Sequence, residues 1–210
     1  MKEGVVNNAG YKTKSTDLEP GCVKYKDQDG DGEITTKDRT VIGNTLPKWY
    51  GGITNTFNFK GIDFSFMFQF NYGNDVYNAT RLYATQSRLG RRNLMAEVAD
   101  RWSPTNASNL VPKTNGYISN DVYSRFVEDG SFLRLKNITL GYTLPQKWTK
   151  KFFVSKLRVY GSAQNLFCIS GYSGYDPEVS TASSNPMTPG LDWGAYPKSR
   201  IFTVGLDLQF

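Results

Sequence analysis

Residues Ile62–Tyr72 read Ile-Asp-Phe-Ser-Phe-Met-Phe-Gln-Phe-Asn-Tyr. The even positions Ile62, Phe64, Phe66, Phe68, Phe70 and Tyr72 are all apolar or aromatic. The odd positions Asp63, Ser65, Gln69 and Asn71 are polar, with Met67 the exception. A period of two is the signature of a β-strand, because successive side chains leave the pleat on opposite sides. Four phenylalanines on one face and small polar groups on the other is a heavy payload for a strand of a water-soluble sheet. A membrane-crossing strand needs about 9–11 residues, and this run supplies them.

Other stretches repeat the pattern. Trp49–Phe59 sets Ile53, Phe57 and Phe59 against Thr54, Thr56 and Asn58, and only Lys60-Gly61 separates it from Ile62, as in a two-residue hairpin. Ser131–Thr143 sets Ile138, Leu140 and Tyr142 against Asn137, Thr139 and Gly141. Val154–Phe167 sets Leu157, Val159 and Ala163 against Arg158, Tyr160, Ser162 and Gln164. The chain closes with Phe202, Val204, Leu206, Leu208 and Phe210 alternating against Thr203, Gly205, Asp207 and Gln209. Between these strands, residues 73–130 are expected to be mostly irregular with one short helix, Asn93–Trp102, on the spacing of Leu94, Val98 and Trp102. A second long loop spans 168–199.

The connections are unequal. Lys60-Gly61 and Leu144–Phe153 are short and fall at one end of the strands, whereas the long segments all fall at the other. Short turns on one side and long loops on the other characterise a transmembrane β-barrel. The expected fold class is therefore all-β: about five antiparallel strands of a larger transmembrane barrel, with long extracellular loops. Residues 1–48 form a leading loop region, and 49–210 hold the strands with the loops 73–130 and 168–199. The hydrophobic fraction of 39% is consistent with such a wall, whose strands are half polar.

Several functions are disfavoured by what the chain contains. There is no histidine, which removes the commonest general base and transition-metal ligand. No acid/base pair or nucleophile constellation stands out, so no enzyme is expected. The net charge of +6 is spread along the chain rather than clustered as nucleic-acid binding requires. Cys22 and Cys168 fit no metal or redox spacing.

One loop carries metal chemistry. Asp27-Gln28-Asp29-Gly30-Asp31-Gly32-Glu33-Ile34-Thr35-Thr36-Lys37-Asp38 places carboxylates at loop positions 1, 3, 5 and 12 and a glycine at position 6, the calcium-loop template. A hard cation gathers six to eight oxygens, and that glycine permits the sharp turn that converges them. Asp27, Asp29, Asp31, Glu33 and Asp38 are the candidate Ca2+ ligands. Asp38 in place of a bidentate Glu makes the loop resemble those of dockerins more than an EF-hand. The alternative is a solvated Asp/Gly turn.

The residues Gly21–Asp38, Ile42-Gly43-Asn44…Pro47, Phe57–Asn71 and Phe126–Pro145 (Phe-Val-Glu-Asp-Gly-Ser-Phe-Leu-Arg-Leu-Lys-Asn-Ile-Thr-Leu-Gly-Tyr-Thr-Leu-Pro) resemble, in collinear order, the carboxyl-terminal part of SusC/RagA-type TonB-dependent transporters. Ala163-Gln164-Asn165-Leu166-Phe167, Gly174-Tyr175-Asp176-Pro177-Glu178 and Tyr196-Pro197…Arg200–Phe210 continue the resemblance. It implies a barrel of about 22 strands, within the range known for such walls, with an amino-terminal plug. It implies import of oligosaccharides or peptides across the outer membrane of Bacteroidetes-like Gram-negative bacteria. It also implies a SusD-like surface lipoprotein as lid and energy from TonB–ExbB–ExbD. No apolar leader, plug or TonB box is evident in these 210 residues, so the chain is expected to be a fragment whose TonB contact lies in a preceding part.

The resemblance and the alternation together assign roles. Ile62, Phe64, Phe66, Phe68, Phe70, Phe202, Val204, Leu206 and Leu208 are expected to face outer-membrane lipid. Phe210, a terminal aromatic, resembles the signal read by the barrel assembly machinery. Tyr172, Tyr175, Trp193 and Tyr196 are candidates for substrate or lid contacts. Asp63, Gln69, Arg158, Tyr160 and Gln164 are expected to face the lumen and to touch the plug or hydrate the wall. Two alternatives are a secreted soluble all-β carbohydrate-binding module, which would bury the apolar faces between two sheets, and a secreted calcium-loop interaction module.

Overall fold

The computed structural model describes residues 20–31, 34, 36–86, 93–114, 116, 122–181 and 189–210. Residues 1–19 of the irregular stretch expected for 1–20, together with Gly32, Glu33 and Thr35 of the acidic loop, lie outside them. The described chain divides into two compact units.

The first unit is the sheet, drawn from Thr45–Asp75, Asp129–Val179 and Ala195–Phe210. Strands β1 (Trp49–Phe59) and β2 (Ile62–Tyr72) take the expected bounds to the residue. Lys60 and Gly61 join them with φ of 48° and 87°, the two positive values of a hairpin turn whose twist matches its strands. Two further strands and a terminal one complete it: β5 (Phe132–Thr143), β6 (Lys156–Ser170) and β8 (Ile201–Gln209). Their order, β1-β2-β5-β6-β8, is a meander, and each pair is antiparallel. At about 3.3 Å per residue, the 11 residues of β1 and β2 reach about 36 Å. Tilted by about 45°, that length crosses the roughly 25 Å apolar band of an outer-membrane wall. The Leu144–Phe153 connection folds as a short helix, α2 (Gln146–Thr149), followed by a 3-10 turn.

One feature of β5 is invisible to simple alternation. Register against β2 slips between Met67 and Phe68, and against β6 between Leu135 and Asn137. Lys136 is the extra residue of a bulge against β2, whereas on the β6 side it stands against two residues, Leu166 and Asn165, the latter with φ of 51°. A bulge adds one residue to a strand and so reverses its parity. Leu133 and Leu135 therefore share the face of Ile138 and Leu140, while Arg134 joins Asn137 and Thr139.

The second unit gathers the described residues of Met1–Asn44, Val76–Glu128 and Ser180–Gly194. Residues 73–130 are more ordered than the sequence suggested. They contain β3 (Asp75–Asn78), helix α1 (Ala79–Thr85) and β4 (Val127–Asp129), and β7 (Leu191–Asp192) completes a small sheet ordered β4-β3-β7. Asn78 caps α1 by accepting the Arg81 N–H at 2.8 Å, which satisfies one of the donors orphaned at a helix start. The helix expected at Asn93–Trp102 is only a 3-10 segment, Ala96–Asp100. The Trp102 N–H bonds to the Val111 carbonyl at 2.9 Å, and Arg101 bridges to Val111, which draws the chain out of a helical path. The unit has its own core of Leu82, Tyr123 and Phe126, flanked by Tyr25, Tyr77 and Tyr83.

Candidate functional site

The two faces of the five-stranded sheet differ in chemistry. One carries Phe57, Phe64, Phe66, Phe68, Ile138, Leu140, Val159, Phe167 and the alternating apolar residues of β8, as the registers dictate. Neighbouring rings form a ladder, with centroids 5.8 Å apart for Phe64–Phe66, 5.6 Å for Phe66–Phe68 and 6.2 Å for Phe68–Phe167. This face is not a buried core. Ile62, Phe202, Val204, Leu206 and Leu208 are all exposed, Val204 to 83%, and Phe64, Phe66, Phe68 and Phe70 are half-buried. A soluble sandwich would bury these side chains against a second sheet; among the described residues the sheet unit has one layer of strands.

The opposite face is polar and internally paired. Arg158 on β6 donates to both carboxylate oxygens of Asp63 on β2, at 2.9 and 2.6 Å, and to Asp207 on β8 at 2.9 Å. Reaching Asp63 means crossing the intervening strand β5 at Gly141. A Cβ there would stand 2.6 Å from Arg158 Nη2, so glycine is what lets the guanidinium pass. The same guanidinium lies 4.8 Å from the Tyr160 ring centroid, and the Tyr160 ring covers Gly205. Asp63, Arg158 and Asp207 thus span four strands of the wall with one carboxylate in excess. Asp207 was missed as a site residue, yet the signal was there: it is the single charge in an otherwise neutral strand.

Where the strands meet the second long loop, a second ion cluster forms. Arg134, 4% exposed, pairs with Asp176 at 2.5 Å and lies 3.6 Å from Glu178. Lys136 and Lys198 also bind Glu178. Burial pushes the Glu178 carboxyl up, but the Lys198 hydrogen bond and the charges of Lys198, Lys136 and Arg134 outweigh it and hold the carboxyl below its usual range. Two of the stretches singled out in the sequence, around Arg134 and Asp176, therefore meet in one place, joined by Lys198. The loop aromatics divide. Tyr172 is buried, its ring over Gly174, whereas Tyr175 and Tyr196 are exposed. In the loop unit, Trp193 is half-exposed and packs on Tyr83 with ring centroids 4.5 Å apart; Tyr83 was not foreseen.

The acidic loop is partly convergent. Single carboxylate oxygens of Asp27, Asp29 and Asp38 lie within 4.8 Å of one another. Backbone N–H groups of Gln28, Gly30 and Asp31 bind Asp38, Asp27 and Asp29 at 2.7, 2.6 and 3.2 Å. Asp31 is not in that trio, and Glu33 lies outside the described residues. No disulfide joins Cys22, which is buried, to Cys168 on β6.

No protein-family model matches the chain, but individual proteins do. It is 38% identical over 96% of its length to TonB-dependent receptor P3 of Formosa agariphila, where the match covers 20% of the receptor. TonB-dependent receptor SusC of Bacteroides thetaiotaomicron is 32% identical over 89% of the chain and 17% of SusC. Among solved structures, the RagAB peptide importer in its open-open state matches with a TM-score of 0.74 and 25% identity, over 99% of this chain and 21% of that one. The chain corresponds to a segment of the SusC/RagA-type TonB-dependent receptors. It spans about a fifth of the length of the curated relatives it matches. Its antiparallel five-stranded sheet matches the fold of the RagAB importer.

Proposed function

We propose that this chain forms part of the barrel wall and surface loops of a transporter that imports oligosaccharides or peptides across the outer membrane of a Bacteroidetes-like Gram-negative cell. The exposed apolar face, continuous across all five strands and opposed by the Asp63–Arg158–Asp207 network, carries this reading. Residues Ile62, Phe64, Phe66, Phe68, Phe70, Phe202, Val204, Leu206 and Leu208 face lipid, and the charged network faces the solute path or plug. Phe210 serves the assembly machinery. The similarity to SusC and RagAB supports a SusD-like surface lipoprotein and TonB–ExbB–ExbD as partners of the complete receptor. Deleting codons 49–210 in frame from the receptor gene should abolish growth on one class of oligosaccharide or peptide as sole carbon source. Unchanged growth across a panel of both classes would contradict the transport role.

The convergence of Asp27, Asp29 and Asp38 supports a second, separate proposal. These hard oxygen donors fit Ca2+, which would stiffen the loop without entering any transport step. Calorimetric titration of the chain with Ca2+ should give heat that Asp27→Ala abolishes; no heat from the unaltered chain would remove the proposal.

A further inference from the structure

The loop unit holds a recess of about 300 Å³ lined by Ala79, Thr80, Tyr83, Ala84, Trp193 and Gly194, with Asn93 at its margin. The aromatic floor is fixed. The Trp193 backbone N–H donates to Thr181 Oγ1 at 3.1 Å, and the backbone N–H of Gly194 donates to Thr80 Oγ1 at 2.7 Å. Thr80 Oγ1 in turn lies 3.2 Å from Asp192 Oδ1, while the Thr181 hydroxyl donates to the Leu191 carbonyl at 2.8 Å. Hydrogen bonds thus tie the residues on both sides of Trp193 to the start of α1 and to Thr181. Yet the indole remains 56% exposed. The backbone under the indole is fixed, and beyond its contact with Tyr83 the ring is left open.

The lining states what would fit. Two rings meet at an interplanar angle of 50°, forming a corner, and small residues (Ala79, Ala84, Gly194) leave the space in front of it empty. The volume is at the lower end for ligand pockets, about 300–1,000 Å³, enough for one ring and not for a folded segment. Among the described residues no side chain in the lining is charged, so these supply no counter-charge for acidic sugars or peptide termini. Peptide addition to β7 is also disfavoured, because the Leu191 carbonyl already accepts both the N–H and the hydroxyl of Thr181. A pyranose offers an apolar C–H face to an indole and hydroxyls to an amide such as that of Asn93. We propose that this recess is a binding subsite for a neutral pyranose unit of an oligosaccharide, which rests on the transporter reading above and narrows its substrate class.

The test uses the whole chain in a zwitterionic detergent, because maltoside head groups would compete. A panel of neutral gluco-, manno-, xylo- and galacto-oligosaccharides and a neutral Phe-containing pentapeptide are titrated by tryptophan fluorescence and by saturation transfer from protein aromatic protons. At least one oligosaccharide should bind, with saturation transferred to its ring C–H protons. Trp193→Ala should weaken it at least tenfold. Ala84→Phe, which fills the recess and keeps the indole, should do the same with α1 amide exchange unchanged. Leu110→Ala, at an exposed residue of the same unit, should leave it unaltered. Absence of binding by every oligosaccharide, binding indifferent to Ala84→Phe, or peptide binding in the recess would each overturn the subsite. Growth loss in the deletion strain combined with any of these results would discard the subsite and leave transport standing.

Discussion

The sheet unit and the loop unit spend their apolar residues in opposite ways. The loop unit folds as a water-soluble body does, with Phe126 fully buried among Leu82, Tyr123 and a ring of tyrosines. The sheet unit leaves its apolar face uncovered, with Val204 and Phe202 largely bare, and carries Arg158 and its two aspartates on the opposite face. The same amino acids thus report different solvents. Water drives apolar groups inward, while a bilayer rewards them on the outside and requires that every backbone polar group be paired within the wall.

The largest expected break of this contrast is in the loop unit. Phe126→Ala should cost about 3–5 kcal/mol by transfer and cavity terms, and amide exchange should rise throughout α1 and β3 while the strands keep their protection. On the sheet, Phe66→Arg places a charge near mid-membrane at a cost of about 2–4 kcal/mol. It should block membrane assembly, measured as heat-modifiable protein in outer-membrane fractions, whereas Ser65→Arg on the other face is tolerated. Equal tolerance of both would erase the distinction between faces. A smaller effect, about 1–3 kcal/mol for overpacking, is expected from Gly141→Val, which inserts a side chain between Asp63 and Arg158; assembly should survive with a lowered melting temperature.

The smallest effect sharpens the contrast through pH. The Glu178 carboxyl is held below its usual range by Lys198, Lys136 and Arg134. A carboxylate whose folded pKa is depressed stabilises the fold above its unfolded value, near 4.5, and loses that contribution as pH falls through the folded value. Loop 171–179 should therefore stay protected from hydrogen exchange at neutral pH and open as pH drops below about 4.5. Glu178→Gln should flatten the profile in that window.

What the sequence revealed follows from how many residues share in each signal. The strands 49–59 and 62–72 were legible to the residue, because eleven positions of alternation and a two-residue turn over-determine them. The Lys136 bulge was not, since Leu133-Arg134-Leu135-Lys136 alternates as well as any strand and the parity change shows only against a partner. With it went Arg134 and its buried partner Asp176. Helix α1 lacks a strong apolar stripe and is set by the Asn78 cap and tertiary packing, so the signal was weak. The expected helix at 93–102 had the spacing but lost its last turn to the Val111 bridge. Of the candidate site residues, Trp193 stands in a recess with Tyr83 and Tyr175 is exposed, whereas Tyr172 is drawn into the packing, because a tyrosine in a loop reads the same whether it faces solvent or a glycine.

The most direct test of the two-solvent contrast is a nitroxide scan of Ile201–Gln209, in the receptor reconstituted into liposomes with Cys22 and Cys168 replaced. Oxygen should reach labels at Phe202, Val204, Leu206 and Leu208, and a water-soluble nickel chelate should reach Thr203, Gly205 and Asp207, with a strict period of two. Accessibility without that period, or nickel reaching the apolar face, would contradict a lipid-facing wall.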